Sequence, residues 1–397
     1  MQTSLHVRNV QEAYVRGLAI VREHGILEET RNGPALVVPW PVLTVYEKPI
    51  ERVLLDPRRD ANPFFHALES LWMLAGRNDV PSIGEFLGAL KKYSDDGHTY
   101  HGAYGYRWRR HFMTDKSGGH WPEHGEGPDE IDQLRTIIEM LRKNPADRRI
   151  VLQMWDPDTD LDKDGKDFPC NTSCMFRARS IERPPSQWTP ELLQLAKDRD
   201  LSSLCLDMTI TNRSNDAVWG AYGANAVHFS VLQEFVAAAA GLEVGRMYQF
   251  SNNLHGYVES MDKVGDACWP ITYGEQHREY SYVRSVPLHD NITGEVDLYK
   301  ARRVKPIPLF RKDATTDLDH VFKQIGAFWD DKYDGDKIAT ATDQFTDEGL
   351  NALTAIRAAH AAFKLKNFDQ AFDHLIELNQ ESDWYIACSE WLTRRFK

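Results

Sequence analysis

Cys170 stands in the run Asp167-Phe-Pro-Cys-Asn171, between a turn-rich acidic stretch that begins at Trp155 and a strand-like run over 172–178. A thiol fixed at the mouth of a strand by the proline before it can act as a nucleophile once ionised. By itself the residue says little, because free cysteines are most often small buried hydrophobes. Two other residue sets supply candidate partners. Glu69 falls in an apolar helical pattern beside Leu68, Leu71 and Trp72, where a carboxylate is partly desolvated and suited to moving protons. Arginines gather at Arg107-Trp-Arg-Arg110 and Arg148-Arg149, with Arg213 alone. Each could be an exposed structural residue, but each could also grip an anion through charge-assisted hydrogen bonds. The chemistry these residues allow together is covalent catalysis on a small anionic molecule.

The elements that must position them are legible from periodicity and turn residues. Residues 9–24 carry apolar positions at helical spacing, and 35–46 read as β-structure interrupted by Pro39 and Pro41. Asn62-Pro63 opens a helix over 64–75, the one that carries Glu69. A helix over 81–93 leads into the Gly- and Tyr-rich segment 101–109. Another helix, 130–143, ends at Asn144-Pro145, and Arg148-Arg149 head a buried strand at 150–154. A proline-rich loop and a short helix over 190–198 precede the strand 204–212, which delivers Arg213-Ser-Asn-Asp216 at its end. An apolar helix over 226–240 and a strand over 246–251 follow. Beyond about residue 310 the pattern is helical (317–329, 347–364, 368–379, 383–396). This divides the chain into residues 1–310 and a helical extension, 311–397.

Composition narrows the function classes. At 397 residues, 42% hydrophobic and 27% charged, the chain is an ordinary globular protein with room for a large core. No apolar run reaches membrane-spanning length, and the N-terminus lacks a signal-peptide pattern, so a cytoplasmic location is expected. Five cysteines without paired spacing argue for free thiols, and no Cys/His spacing suggests zinc. A formal net charge of −12 argues against broad nucleic-acid binding, although local arginine clusters can still hold a small anion.

In order along residues 10–260, the motifs resemble the thymidylate synthases and the related phage deoxypyrimidylate hydroxymethylases. Glu69-Ser-Leu-Trp-Met-Leu is similar to the family's glutamate helix. Tyr104-Gly-Tyr-Arg-Trp-Arg109 is similar to its Tyr-Gly-x-Gln-Trp-Arg segment, and Phe168-Pro-Cys170 to its nucleophile motif. Asp147-Arg-Arg-Ile150, Arg213-Ser-x-Asp216 with Gly220, and His255-x-Tyr257 complete the set. The resemblance implies an α/β fold with a large mixed, mostly antiparallel sheet, helices on one face, and a homodimer packed back to back. It implies 5,10-methylenetetrahydrofolate as one-carbon donor and a pyrimidine nucleotide monophosphate as acceptor. Cys170, Glu69, Tyr104, Asn171 and Asp216 become the catalytic candidates, with Asp216 toward the pterin. Arg31, Arg213, Ser214 and the partner subunit's Arg148 and Arg149 would hold phosphate, His255 and Tyr257 the sugar. Asn225 would read uracil, at the cost of one inserted residue; the ungapped alternative, Ala224, leaves base choice open. His228 is expected to face the core or an interface without a catalytic role.

Three departures bear on the product. Asn171 and Met175 stand where synthases carry histidine and glutamine, residues 86–93 lack tryptophan, and the chain runs on past the family's short apolar tail. Losing that lid and aromatic wall favours capture of a methylene intermediate by water over hydride. The expectation is therefore hydroxymethylation of dUMP by a phage-type enzyme. A thymidylate synthase, a dCMP hydroxymethylase and a catalytically silent nucleotide-binding assembly protein are the alternatives. The C-terminal helices are left three possible roles: covering the site, extending the dimer, or binding other proteins.

Overall fold

A computed structural model describes residues 3–114, 129–180, 204–264, 298–312, 317–330 and 345–396. The strands, in chain order, are β1 (Ser4–Val7), β2 (Ile26–Thr30), β3 (Gly33–Val37), β4 (Val42–Tyr46), β5 (Met113–Thr114), β6 (Asp129–Glu130), β7 (Val151–Gln153), β8 (Asn171–Ser180), β9 (Leu204–Asn212), β10 (Asn215–Asp216), β11 (Glu243–Ser251) and β12 (Leu254–Tyr257). Six of them form the main sheet in the order β1-β4-β11-β9-β8-β7. Its β1–β4 and β11–β9 pairs are parallel and the other three antiparallel, so the sheet is mixed and mostly antiparallel as expected. A four-stranded sheet, β10-β12-β3-β2, stands beside it, and β5 pairs with β6.

Helices stack outward from the main sheet in layers. The helix Asn225–Ala239, buried from Ala226 to its end, packs on β9 and β11. The helix Pro63–Leu74 packs on that one, and the C-terminal helices Leu318–Asp330, Asp347–Lys364 and Asp383–Arg395 pack in turn on Pro63–Leu74. Asn62 caps Pro63–Leu74 by accepting from the Phe65 N–H at 3.1 Å, with proline in the first turn, where its missing donor costs nothing. All its residues are buried except Glu69, so a helix set between two helical layers leaves only this carboxylate partly open. One continuous hydrophobic core runs from Leu5 to Leu392 through all these layers.

Local differences from the sequence reading have simple causes. The single helix expected over 81–93 is a short helix, Val80–Gly84, followed by a 3-10 turn, Gly88–Tyr93; Gly84 and Gly88 weaken a continuous helix there. Residues Tyr104–Arg109 are helical. The strand expected at 150–154 is β7, at the edge of the sheet, and Val151 and Gln153 are exposed on either side of buried Leu152. The short helix expected at 190–198 lies outside the described residues. Residues 298–312 already pack with the C-terminal helices: Lys305 bridges to Ser382, and Phe310 to Phe345.

Candidate active site

Cys170 immediately precedes β8, where the β8–β9 register shifts between Asn171 and Ser173. Such an irregularity re-aims the chain at a strand end. The turn is pinned from the β9 side. The Arg213 N–H donates to the Cys170 carbonyl at 2.9 Å. The Arg213 guanidinium donates to the carbonyls of Pro169 at 3.1 Å and Phe168 at 3.3 Å. From the other side comes the 101–103 turn, whose Gly102 N–H donates to Asp167 at 2.8 Å. A Cβ at Gly102 would lie 2.9 Å from the Pro169 nitrogen, so only glycine permits this approach.

A cavity of about 630 Å³ opens beside the thiol, lined on this side by Cys170, Tyr104, Glu69, His228 and Asn225. Glu69 Oε2 lies 2.9 Å from His228 Nε2. The His228 ring stands edge-on to Phe65 and His66, and burial holds the His66 imidazole well below its usual range, with His228 and Arg59 adding to the effect. Tyr104 stacks on Phe229 at 5.7 Å, and its hydroxyl accepts from the Asn171 N–H at 3.3 Å. Burial raises the Tyr104 phenol well above its ordinary value, keeping it a neutral donor. Burial also raises the Cys170 thiol, opposed by Arg213 and Arg31 and reinforced by Asp167. The arginines act in the expected direction, but desolvation outweighs them.

Asn225 begins the long buried helix, and its amide donates to Asn215 Oδ1 at 3.1 Å. Gly220 lies against both asparagines, a Cβ there being 2.9 Å from Asn215 Oδ1. Asp216 accepts from the Trp219 N–H through Oδ1, while Oδ2 is buried with no hydrogen-bond partner among the described residues. Burial raises the Asp216 carboxyl, opposed by that N–H and by His255. Asp216 and His255 are register partners on β10 and β12. His255 Nδ1 is 2.9 Å from Asn253 Oδ1, its ring is 5.2 Å from that of Tyr257, and the Tyr257 hydroxyl accepts from Asn32 at 3.2 Å.

Arg213, Asp216, His255 and Tyr257 do not line this cavity, and the remaining candidates stand apart from its wall as well. The Asn171 side chain is fully buried and donates to the Thr211 carbonyl at 3.0 Å and Asn212 Oδ1 at 3.2 Å, so it is spent on the sheet. Ser214 is half-buried between β9 and β10. Arg31, in the β2–β3 turn, donates to the Gly165 and Lys166 carbonyls at 3.3 and 3.4 Å. Arg148 and Arg149 are exposed before β7, and Arg149 makes a bidentate pair with Asp147.

Several wall residues were given no role at the site from the sequence. His228 is buried as expected, yet it also borders the cavity and meets Glu69. Arg59 donates to the Val218 carbonyl at 2.6 Å and lies 4.2 Å from the Trp219 ring. Its place just before Asn62-Pro63 was the available signal. On the far side, His360, Phe363, Lys364, Trp391 and Arg395 of the C-terminal helices line the same cavity. Nothing in their spacing announces that.

Comparison with known proteins matches the thymidylate synthase family profile to residues 59–269. The chain is 39% identical over 394 residues to the deoxyuridylate hydroxymethyltransferase of Pseudomonas phage M6, covering 98% of this chain and 94% of the relative. It is 33% identical over 220 residues to the enzyme of the same name from Bacillus phage SP01, covering 55% and 50%. Similarity to the thymidylate synthase of Streptococcus suis is 26% over 183 residues, 46% of this chain and 58% of that one. With the order of motifs, the mixed sheet and the cavity at Cys170 in agreement, the chain belongs to the thymidylate synthase family.

Proposed function

We propose that the protein transfers a one-carbon unit from methylenetetrahydrofolate to C5 of dUMP and releases 5-hydroxymethyl-dUMP. The observation that carries this reading is that a thiol, a carboxylate and a carboxamide (Cys170, Glu69, Asn225) line one cavity. The hydroxymethyl outcome is supported by the phage M6 relative, whose similarity runs through the C-terminal helices as well as the family domain.

C5 of uracil is a poor nucleophile until C6 is saturated. Cys170 Sγ forms a bond to C6, and the displaced electron pair makes C5 carbanion-like. Arg213 beside the thiol favours the thiolate and offsets part of the cost of burial. Asn225 can donate to O4 and accept from N3–H, the pattern of uracil and not of cytosine. Glu69, with His228 Nε2 2.9 Å away, takes the C5 proton once the new carbon is attached. Loss of that proton expels the carrier nitrogen from the new carbon and leaves an exocyclic methylene; water adds to this carbon, and expulsion of Cys170 Sγ then restores the 5,6 double bond. The folate, when bound, supplies a carbon at the oxidation level of formaldehyde. Its ring N–H groups fit the partnerless buried Oδ2 of Asp216. His255 and Tyr257 are assigned to the sugar, and Arg31, Arg213 and Ser214 to the phosphate. Arg148 and Arg149, exposed ahead of the sheet's edge strand β7, are assigned to the partner's phosphate across a homodimer.

The test is direct. Incubated with dUMP and methylenetetrahydrofolate, the protein should yield 5-hydroxymethyl-dUMP and tetrahydrofolate. Formation of dTMP with dihydrofolate would make it a synthase, and preference for dCMP would remove Asn225 as a uracil reader.

A further inference from the structure

The outer half of the cavity is built by a part of the chain that the family profile does not reach, since that match ends at residue 269. A chain of ring contacts joins the two parts. Phe86 lies 4.5 Å from His360, His360 5.7 Å from Phe64, Phe64 5.3 Å from Trp391, and Trp391 5.1 Å from Phe363. Phe64 belongs to the helix that carries Glu69, so the chemistry and this wall share one support. Burial lowers the His360 imidazole to about 4, which leaves it an uncharged ring at neutral pH.

The charge at this end is positive and specific. Asp60 accepts from both Arg394 and Arg395, and Glu390 also pairs with Arg394. Lys364 stands one turn beyond His360 at the end of its helix. It is exposed, lines the cavity, and makes no hydrogen bond or ion pair among the described residues. An aromatic wall leading to an unpaired ammonium suits a ligand that presents an aromatic ring followed by a carboxylate.

The wall is also fixed in place. Glu234 Oε1, on the central buried helix, accepts from the Leu309 and Phe310 N–H groups at 2.6 and 3.2 Å. Tyr299 joins the Val53 carbonyl at 3.3 Å to Asp383 at 3.0 Å, tying the last helix to the catalytic layer.

We propose that Phe363, Lys364 and Trp391 form the subsite for the aromatic, carboxylate-terminated tail of the one-carbon donor, in a chain whose residues 86–93 carry no tryptophan. The assignment rests on the reading above that the donor is a reduced folate.

Equilibrium dialysis of tetrahydrofolate against the full chain saturated with dUMP tests it, using carriers with one and with several glutamates. Wild-type protein should bind the longer tail more tightly. Lys364→Glu, at an exposed position, should weaken folate binding about tenfold or more and erase the preference for the longer tail, with the dUMP Kd unchanged. An unchanged folate Kd and tail preference in Lys364→Glu would overturn the subsite while leaving the one-carbon reading intact. Absence of folate binding by the wild-type protein would overturn both.

Discussion

The cavity has two halves that differ in both origin and chemistry. The inner half draws Glu69, Tyr104, Cys170, Asn225 and His228 from strand ends and helices within residues 59–269; its groups ionise, donate or attack. The outer half draws rings and basic side chains from helices beyond residue 345, and its groups pack and attract. Reacting groups must be held to fractions of an ångström, so they come from strand termini and capped helices. A wall that recognises a flexible tail tolerates looser placement and can be built by packing another layer on the same helix.

Within the inner half the same lesson appears between two thiols four residues apart. Cys174, fully buried on β8, is raised far above the usual thiol range by burial alone. Cys170 is also raised, but Arg213 and Arg31 oppose the shift, and the sulfur borders the cavity. Position relative to the strand end, and not residue type, separates a thiol that borders the cavity from a core residue.

The largest effect should come from splitting these two. Cys170→Ala should reduce turnover by about 10⁴-fold or more, because no other described group can add to C6. Cys174→Ala should leave turnover within a few-fold while lowering stability by roughly 1–2 kcal/mol for the lost packing. Steady-state assay and denaturant melts read both; equal activity losses would erase the distinction. A second test asks whether the inner half is complete in one chain. Mixing inactive Arg149→Ala and Cys170→Ala proteins under conditions of proven subunit exchange should recover about a quarter of wild-type activity, if subunits pair at random and pairs carry one intact site. No recovery would confine each phosphate site to its own chain.

The smallest effect concerns the joint between the halves. Burial raises the Asp383 carboxyl from its ordinary 3.8 to about 7, against the opposing pull of Arg52 and the Tyr299 hydroxyl. Between those pH values the folded state keeps a proton that the unfolded chain has lost. The associated stability is complete below about 3.8 and falls by up to about 1.4 kcal/mol per pH unit until about 7. Asp383→Asn should remove that slope, so its Tm should gain on wild type as pH rises from 5 to 7. Parallel Tm curves would mean that the joint does not titrate.

Cys170, Glu69 and Asn225, which line one cavity, were legible as candidates because each sits where a local signal marks an element boundary: Pro169 before β8, Asn62-Pro63 before the Glu69 helix, Gly220 before Asn225. What the Asn171 amide bonds to was not legible, since its partners Thr211 and Asn212 are set by the neighbouring strand. His228 read as a core residue because its helix is apolar all round, and only the layer above brings Glu69 to it.

The sequence by itself determined the family, the order of the chemical groups and the helical character of the C-terminus, because motif spacing and hydrophobic period are local properties. Only the tertiary structure decided that residues 360–395 wall the cavity opened by Cys170, and that Asn171 belongs to the sheet. Contacts between residues about three hundred positions apart, such as Phe64 with Trp391, follow from which apolar faces find one another in the core, and no local pattern records that choice.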